Sequence, residues 1–317
     1  MRILVTGGTG LVGSALQKIT QMSQDDWIFI SSRDVDLTDR KATLAFFEKV
    51  KPEYVIHLAA HVGGLYRNMR EPARFWLANS RINNNVLEAS MEVGVIKVLS
   101  CLSTCVFPDG LTTLTETDLH LGPPHPSNAA YAYSKRMVDI LGRALNQEKK
   151  TRFISVIPTN LYGEHDNFNP ETGHDIPGLI ARMHACVQEK KPFSIWGTGK
   201  PLRQFVHAQD FARILTWMIF HYEDEESLIV APDREVSILN VTEIIAKKLG
   251  YTGLLHSTPE KADGQYCKTA QNLKMKHVIP PEYQPIISLE DGIAKTVESY
   301  IKLISLHGKL ETDQTTK

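Results

Sequence analysis

An α/β fold, with a doubly wound parallel sheet and a smaller C-terminal domain, is predicted by three features of the sequence. The chain opens on a short apolar run, Ile3-Leu4-Val5, that passes at once into a glycine-rich turn and then a helical pattern. Strand-like and helix-like stretches alternate through the first half. From Glu164 to Pro177 the periodicity becomes irregular, which marks a departure from that alternation.

Ile3 to Val5 reads as a buried parallel strand, and from Leu11 the helical pattern continues through Ala15, Lys18 and Ile19. Between them, Gly8-Thr9-Gly10-Leu11-Val12-Gly13 fits G-x-G-x-x-G, and Gly7, Gly10 and Gly13 give a second reading of the same turn. One glycine permits the tight turn, a second lets the backbone approach a pyrophosphate, and the third lets helix and strand pack closely. The unpaired N–H groups and the dipole of the helix then face the phosphates. Strand, loop and helix come in the required order, so we read Gly7, Gly10, Leu11, Val12 and Gly13 as a dinucleotide-binding turn of Rossmann type. A tight turn without a ligand is the ordinary alternative.

Trp27-Ile28-Phe29-Ile30 is the second strand. NAD sites usually carry Asp or Glu at its end, to bind the ribose 2′-OH. Here the residues are Ser31-Ser32-Arg33, and Arg33 can make charge-assisted bonds to a 2′-phosphate. The cofactor is therefore read as NADP(H), against the competing reading of Arg33 as a solvated surface charge. Asp34 would repel that phosphate, and Asp36 either caps a short helix or contacts adenine.

Thr38 to Val50 reads as a helix with Thr38 as its N-cap. Tyr54 to Ala60 is the next strand, and its end at Leu58 and Ala59 is open to a ligand; His57 inside the run reads as a satisfied core histidine. Pro72 to Gly94 is a long helix whose Asn79, Asn83, Asn84 and Asn85 are read as solvated or lining the cofactor cleft. Val95 to Ser103 is a strand, Phe107 to Asn128 a long loop, Ala129 to Gln147 a helix, and Phe153 to Ile157 a strand that ends at Pro158-Thr159-Asn160-Leu161. Right-handed crossovers bring the strand ends to one edge, which places Leu58, Ala59, Pro158, Asn160 and Leu161 beside the cofactor. Further helices are expected over Ile176–Val187, Asp210–Phe220, Val241–Leu249 and Leu289–Leu303, with Leu228-Ile229-Val230 returning as a strand to the main sheet. The expected division is a dinucleotide domain over 1–165, joined by the strand near 228–230, and a mainly substrate-binding domain over 166–317. The polar tail from His307 to Lys317 is expected to fray.

The 317 residues suffice for one large core or two smaller ones. Lys and Arg number 35 and Asp and Glu 36, a formal charge of −1, which leaves no electrostatic footprint for nucleic acid or an anionic membrane. No apolar run is long enough to span a bilayer, and because the first residues already read as a strand, no signal peptide is expected ahead of the fold. Cys101, Cys105, Cys186 and Cys267 have neither metal-ligand spacing nor the pattern of a disulfide framework, and a reducing cytoplasm is the simplest compartment.

The second chemical signal is Tyr131-Ala132-Tyr133-Ser134-Lys135. Tyr131 and Lys135 share a helix face at i and i+4, and an ammonium beside a phenol lowers the phenol pKa. Tyr131 then becomes a proton donor to a carbonyl oxygen, and Ser103 at the preceding strand end can hydrogen-bond the same oxygen.

The turn Thr6–Gly13, with Ser103, Tyr131 and Lys135, resembles the extended short-chain dehydrogenase/reductase superfamily. Ser103-Thr104-Cys105-Val106-Phe107-Pro108, Pro158 to Gly163, His165-Asp166-Asn167-Phe168, Gly173 to Pro177 and Trp196-Gly197-Thr198-Gly199 with Arg203 resemble the GDP-L-fucose synthase family over nearly the whole chain. That resemblance implies NADPH-dependent inversion at C3 and C5, and reduction at C4, of GDP-4-keto-6-deoxy-D-mannose. It implies an acid–base pair of Cys105 and His174, with His174 also beside the cofactor, and Lys135 on the cofactor ribose. It further implies Arg182, Trp196, Arg203, Asp263 and Lys268 on the sugar nucleotide, and a homodimer through the helices after Pro72 and Ala129. The residues alone leave other readings open: Cys105 as a buried hydrophobe, His165 as an equal candidate to His174, Arg182 as a surface charge, Trp196 as packing. Related sequences often carry Pro after the Tyr-Gly pair, whereas Glu164 adds a negative charge near the cleft here. The rival functions are a UDP-sugar 4-epimerase of the same superfamily and a non-catalytic NADP-binding regulator.

Overall fold

The computed structural model describes residues 1–148, 151–170, 173–260 and 269–314. The first half runs β1 (Arg2–Thr6), α1 (Leu11–Thr20), β2 (Asp26–Ile30), α2 (Arg40–Val50), β3 (Tyr54–His57), α3 (Leu65–Arg70), α4 (Pro72–Glu92), β4 (Lys97–Cys101), β5 (Thr113–Leu114) and α5 (Ala129–Gln147). Next come β6 (Arg152–Pro158), β7 (Asn160–Tyr162), α6 (Asp175–Glu189), β8 (Phe193–Trp196), β9 (Leu202–Arg203), β10 (Phe205–His207) and α7 (Ala208–His221). The chain continues through β11 (Leu228–Val230), β12 (Val236–Ser237), α8 (Ile238–Leu249), β13 (Leu255–Thr258), β14 (Thr269–Ala270), α9 (Leu273–Val278) and α10 (Leu289–Gln314).

Six strands form one sheet in the order β11-β6-β4-β3-β1-β2, and every pairing is parallel. The returning strand expected at Leu228–Val230 is β11, paired with β6 at Val156–Pro158. Alternation along each strand feeds two apolar layers. Ile3, Val5, Ile56 and Leu99 pack with Leu16 of α1 and with Phe211 and Leu215 of α7. Leu4, Val55 and Val98 pack with Phe47 of α2, Val86 and Leu87 of α4, and Val138 of α5. Each fully buried side chain of this size contributes roughly 2 kcal/mol by leaving water. The result is a helix–sheet–helix sandwich of Rossmann type. A third apolar cluster joins Ile180 of α6, Phe193 of β8, Ile245 of α8 and Ile293 of α10.

Strand order reverses beside β1: β2 lies on one side and β3 on the other. The crevice outside the carboxyl ends of β1 and β3 is therefore the place for a ligand.

Several expectations shift in detail. The α2 N-cap is Asp39, whose side chain accepts from the Ala42 N–H at 3.0 Å. Thr38 is instead held in a turn by the Asp36 carboxylate, which takes both its N–H (2.9 Å) and its hydroxyl (2.7 Å). The loop from Phe107 to Asn128 contains β5 and two short 3-10 turns, at Glu116–Asp118 and Pro126–Asn128, and just before the irregular region the segment after β6 forms β7, paired with β10. Helix α10 runs on to Gln314, past His307. Among the four asparagines of α4, Asn79, Asn83 and Asn85 are buried and bonded rather than solvated. Asn79 clasps the His61 backbone through both amide groups, and Asn85 donates to the Leu37 carbonyl at 2.9 Å.

Candidate active site

The crevice opens into a cleft of about 660 Å³ at the carboxyl edge of the sheet. Its floor is the glycine turn. Gly7 adopts φ +69°, and a Cβ there would lie 2.9 Å from the Ala59 nitrogen, so a side chain is excluded twice. Gly8 donates to the Ile30 carbonyl at 2.7 Å, which ties the turn to β2. A Cβ at Gly13 would lie 2.4 Å from the Gly7 oxygen, so α1 sits directly on the turn. Gly7, Gly10, Leu11, Val12 and Gly13 all line the cleft, as do Asp36, Leu58, Ala59, Pro158, Asn160 and Leu161. This is a cradle without side chains at a helix N-terminus, and it fits the diphosphate of a dinucleotide.

At the end of β2, Arg33 is exposed. The Asp34 carboxylate turns back to accept from the Ser31 N–H and hydroxyl, both at 2.8 Å, and these bonds hold it below the usual carboxylate range. Asp34 is thus already engaged by its own turn. Ser31 and Ser32 line the cleft, and Arg33 is not among its lining residues.

Ser103, Tyr131, Lys135 and His174 line the other end of the cleft. Ser103 caps a one-turn 3-10 helix, Thr104–Val106, by accepting from the Cys105 N–H at 3.4 Å. Cys105 is the buried middle residue of this turn, within electrostatic reach of Tyr131 and Lys135, and it is not among the residues that line the cleft. The turn is pinned by Arg136, next to Lys135 in sequence and buried. Its Nε donates to the Val106 carbonyl at 2.8 Å, its Nη2 reaches the same oxygen, and its Nη1 donates to the Gly122 carbonyl at 2.7 Å. Burial leaves the Arg136 side chain little choice of partner, and nothing in its local sequence announces the role.

Lys135 donates to the Cys101 carbonyl at 2.9 Å, and burial lowers its pKa. The expectation for Tyr131 is reversed. Burial, followed by the nearby Cys105 and Cys101, pushes its phenol well above the ordinary value. Spacing at i and i+4 puts the two on one face, but desolvation outweighs the cation. Tyr131 therefore holds its proton, edge-on to Phe75 at 6.2 Å. Cys101 also lines the cleft; burial pushes its thiol up to about 11, so it too stays protonated.

His174 is the N-cap residue of α6 and makes no side-chain cap bond, which leaves its imidazole to the cleft. His165 lines the cleft as well, from a backbone with φ +65°. Asp166 and Asn167 stand between them in the lining, and burial raises the Asp166 carboxyl. Phe205 reaches the same cleft through the β7–β10 pairing, a contact between distant segments that no local pattern signals.

Three of the residues expected on the sugar nucleotide, Arg182, Trp196 and Arg203, are engaged with neighbouring groups. Arg182 is half-buried, with its guanidinium 4.0 Å from the Trp196 ring centre and 5.2 Å from that of Phe193, and it donates to the Ser194 carbonyl at 3.2 Å. The two open readings, surface charge and simple packing, give way to a cation–π stack. Arg203 donates to the Leu202 carbonyl at 2.7 Å. Arg182, Trp196 and Arg203 do not line the cleft described above. Asp263 and Lys268 lie outside the described residues. Glu164 is also absent from the lining: it accepts from Gln209 at 3.0 Å and pairs with Lys18 at 3.7 Å, tying α1 to α7.

With this geometry in hand, the chain can be set beside known proteins. Residues 3–231 match the NAD dependent epimerase/dehydratase family. The GDP-L-fucose synthase of Dictyostelium discoideum is 49% identical over 284 residues, covering 88% of this chain and 89% of that one. The probable GDP-L-fucose synthase of Drosophila melanogaster is 46% identical over 314 residues, covering 95% and 97%. The crystal structure of a GDP-L-fucose synthetase from Naegleria fowleri bound to NADP superposes with a TM-score of 0.88 at 44% identity, over 96% of this chain and 94% of that one. A glycine cradle at the strand switch, a partly buried tyrosine and a buried lysine on one helix, and relatives of this closeness lead to one conclusion: the chain belongs to the NAD-dependent epimerase/dehydratase family and, within it, to the GDP-L-fucose synthases.

Proposed function

We propose that the chain converts GDP-4-keto-6-deoxy-D-mannose to GDP-L-fucose, by inversion at C3 and C5 and reduction at C4, with NADP(H) as its cofactor. One observation carries the reading: Ser103, Tyr131, Lys135 and His174 line the same cleft as a side-chain-free diphosphate cradle, with Cys105 in the short turn that Ser103 caps.

Gly7–Gly13 would hold the diphosphate of NADPH and Arg33 would answer its 2′-phosphate, and the bound cofactor would supply the hydride. The rest is done by the chain. C3 and C5 are both α to the C4 ketone, so a proton leaves either carbon if the enolate oxygen is steadied. Ser103 and Tyr131 supply hydroxyl donors to that oxygen. Cys105 and His174 take and return the carbon-bound protons from opposite faces, one as thiolate base and the other as imidazolium acid. In the reduction Tyr131 gives its phenolic proton to O4. The burial that keeps the phenol protonated suits that donor role. Lys135, anchored on the Cys101 carbonyl, presents its ammonium to the cofactor ribose and to the departing phenolic charge.

The division of labour follows the chain: residues 1–165, with β11, serve the cofactor, and residues 166–317 serve mainly the sugar nucleotide. A homodimer across α4 and α5 is supported by Tyr133, Met137 and Ile140, an exposed stripe at i, i+4 and i+7, beside exposed Leu77 and Trp76. Among the described residues no helix is long and apolar enough to cross a membrane. Cys101 and Cys186 are free thiols, in keeping with a cytoplasmic setting.

The test is incubation of the purified chain with GDP-4-keto-6-deoxymannose and NADPH, following nicotinamide absorbance and, in heavy water, deuterium at C3 and C5. Loss of absorbance with deuterium at both carbons is expected. A chain that leaves NADPH unoxidised while interconverting UDP-sugars would be a 4-epimerase, and one that binds NADPH and changes no sugar nucleotide would be a regulator.

A further inference from the structure

A buried line of hydrogen bonds crosses the protein behind the cleft. The Ala59 N–H donates to Thr6 Oγ1 at 3.2 Å; Thr6 Oγ1 lies 2.8 Å from His57 Nδ1; His57 Nε2 lies 3.0 Å from Asn83 Oδ1; and Asn83 Nδ2 donates to the Ser134 carbonyl at 3.1 Å. Thr6, His57, Asn83 and Ser134 are each at most 2% exposed, so water does not complete these bonds. The line joins the last residue of β1, the end of β3, the middle of α4 and the peptide that precedes Lys135 in α5.

Its polarity can be deduced. The Ser134 carbonyl only accepts, so the Asn83 amide must turn its NH2 there and its oxygen to His57. His57 Nε2 must then carry a hydrogen. Burial, reinforced by the Lys135 charge, pulls the imidazole down to about 3, so it is neutral and Nδ1 accepts. The Thr6 hydroxyl, taking the Ala59 N–H on its lone pair, gives its own hydrogen to Nδ1. Every donor points from the cofactor turn toward the catalytic helix, the arrangement in which successive bonds polarise one another.

We propose that His57 is a positioning residue, which with Thr6 and Asn83 forms a one-way strut that fixes Tyr131 and Lys135 in α5 against the cofactor turn at Gly7 and the β3 end at Ala59. The proposal rests on the roles given above to Tyr131 and Lys135. His57 touches neither cofactor nor substrate; it sets where the two walls of the cleft stand relative to each other, and hydride transfer is sensitive to that spacing.

Thr6→Val keeps the side-chain shape and removes the link, and Thr6→Ser restores it. The expected result for Thr6→Val is an NADPH oxidation rate about tenfold lower and a larger primary isotope effect with deuterated NADPH, while NADPH affinity stays within about twofold. Thr6→Ser should return the rate to within about twofold of the parent. A Thr6→Val chain that folds and turns over at the parent rate, or a Thr6→Ser chain that folds and does not recover, overturns the strut. Imidazole nitrogen NMR of the unaltered chain decides the matter if Thr6→Val does not fold. A single Nε2–H tautomer that does not titrate between about pH 5 and pH 8 is expected, and a proton on Nδ1 or a titration in that range overturns it. A parent chain that never oxidises NADPH would sink the functional reading instead, and the NMR result would still decide the order of the bonds.

Discussion

The tightest constraint on the cofactor cradle is Gly13, and replacing it by alanine gives a prediction whose size can be worked out. An added Cβ would lie 2.4 Å from the Gly7 oxygen and 2.5 Å from the Gly8 oxygen, where ordinary contact begins at 3.4 Å. Both oxygens belong to backbone, and the turn is pinned by Gly8 N–H to Ile30 at 2.7 Å and Gly10 N–H to Gly7 at 3.0 Å. Helix α1 must therefore move by about 1 Å, the shortfall in that contact. Donors at its N-terminus that meet phosphate oxygens near 2.9 Å would then stand near ~3.9 Å, outside hydrogen-bond range. Losing two charge-assisted bonds at about 1.5 kcal/mol each costs about 3 kcal/mol, or roughly a hundredfold in NADPH affinity. The displaced helix also lowers apo stability by about 2 kcal/mol. Gly10→Ala is the control. Its Cβ would meet only the Gly7 oxygen, at 3.3 Å, so the fold tolerates it, while the methyl obstructs the cofactor side. Fluorescence titration with NADPH and thermal denaturation of the apo chain measure the two effects separately. A stable Gly13→Ala chain with parental NADPH affinity, or a Gly10→Ala chain destabilised as much as Gly13→Ala, would refute the reasoning.

Three further predictions concern the reacting groups and the core. Cys105→Ser should cut deuterium incorporation at C3 or C5 by about a hundredfold and leave NADPH affinity unchanged; mass spectrometry of the recovered sugar nucleotide reads this. Tyr131→Phe should lower NADPH oxidation by about a hundredfold while exchange at C3 and C5 persists, and loss of both together would contradict separate roles. Stability should fall on acidification below about pH 6.5, because burial holds His57 at about 3 and His207 at about 4. In that window the unfolded chain binds two protons that the folded chain excludes, so unfolding takes up protons and becomes easier as pH drops. The slope near pH 5 is at most about 2 kcal/mol per pH unit, since the buried carboxyls of Asp166 and Asp210 are raised and act in the opposite sense. Urea midpoints that stay flat or rise from about pH 6.5 to about pH 5 would show that these histidines are protonated in the folded chain.

What could be read from the sequence is local in origin. The β1–turn–α1 unit announces itself because its glycines and apolar runs are contiguous, and the parallel sheet because each strand is a short run closed by a helix signal. His57 is legible as a satisfied core histidine for the same reason: it interrupts an apolar run without a polar neighbour. What escaped depends on distant partners. Arg136 looks like any helical arginine until the Val106 and Gly122 carbonyls are set beside it. The asparagines of α4 read as solvated or as lining the cofactor cleft, because nothing in a single helix shows that Leu37, His61 and Ser134 need donors. Thr38 loses the cap to Asp39 because Asp36 claims it first.

Tyr131 and Lys135 mark where a local rule gives the right residues and the wrong electrostatics. The i, i+4 spacing places them correctly on one face, and in water the cation would favour phenolate. In the folded chain one ammonium hydrogen goes to the Cys101 carbonyl, and desolvation of the phenol, with two sulfurs nearby, keeps the proton on oxygen. A ketone undergoing reduction consumes one proton at its oxygen, whereas inversion at a neighbouring carbon consumes none overall. A residue kept loaded suits the first task, and a pair that trades one proton back and forth suits the second. On the proposed roles, the desolvated phenol of Tyr131 and the exposed His174, both lining one cleft, would divide those tasks by solvation within a single site.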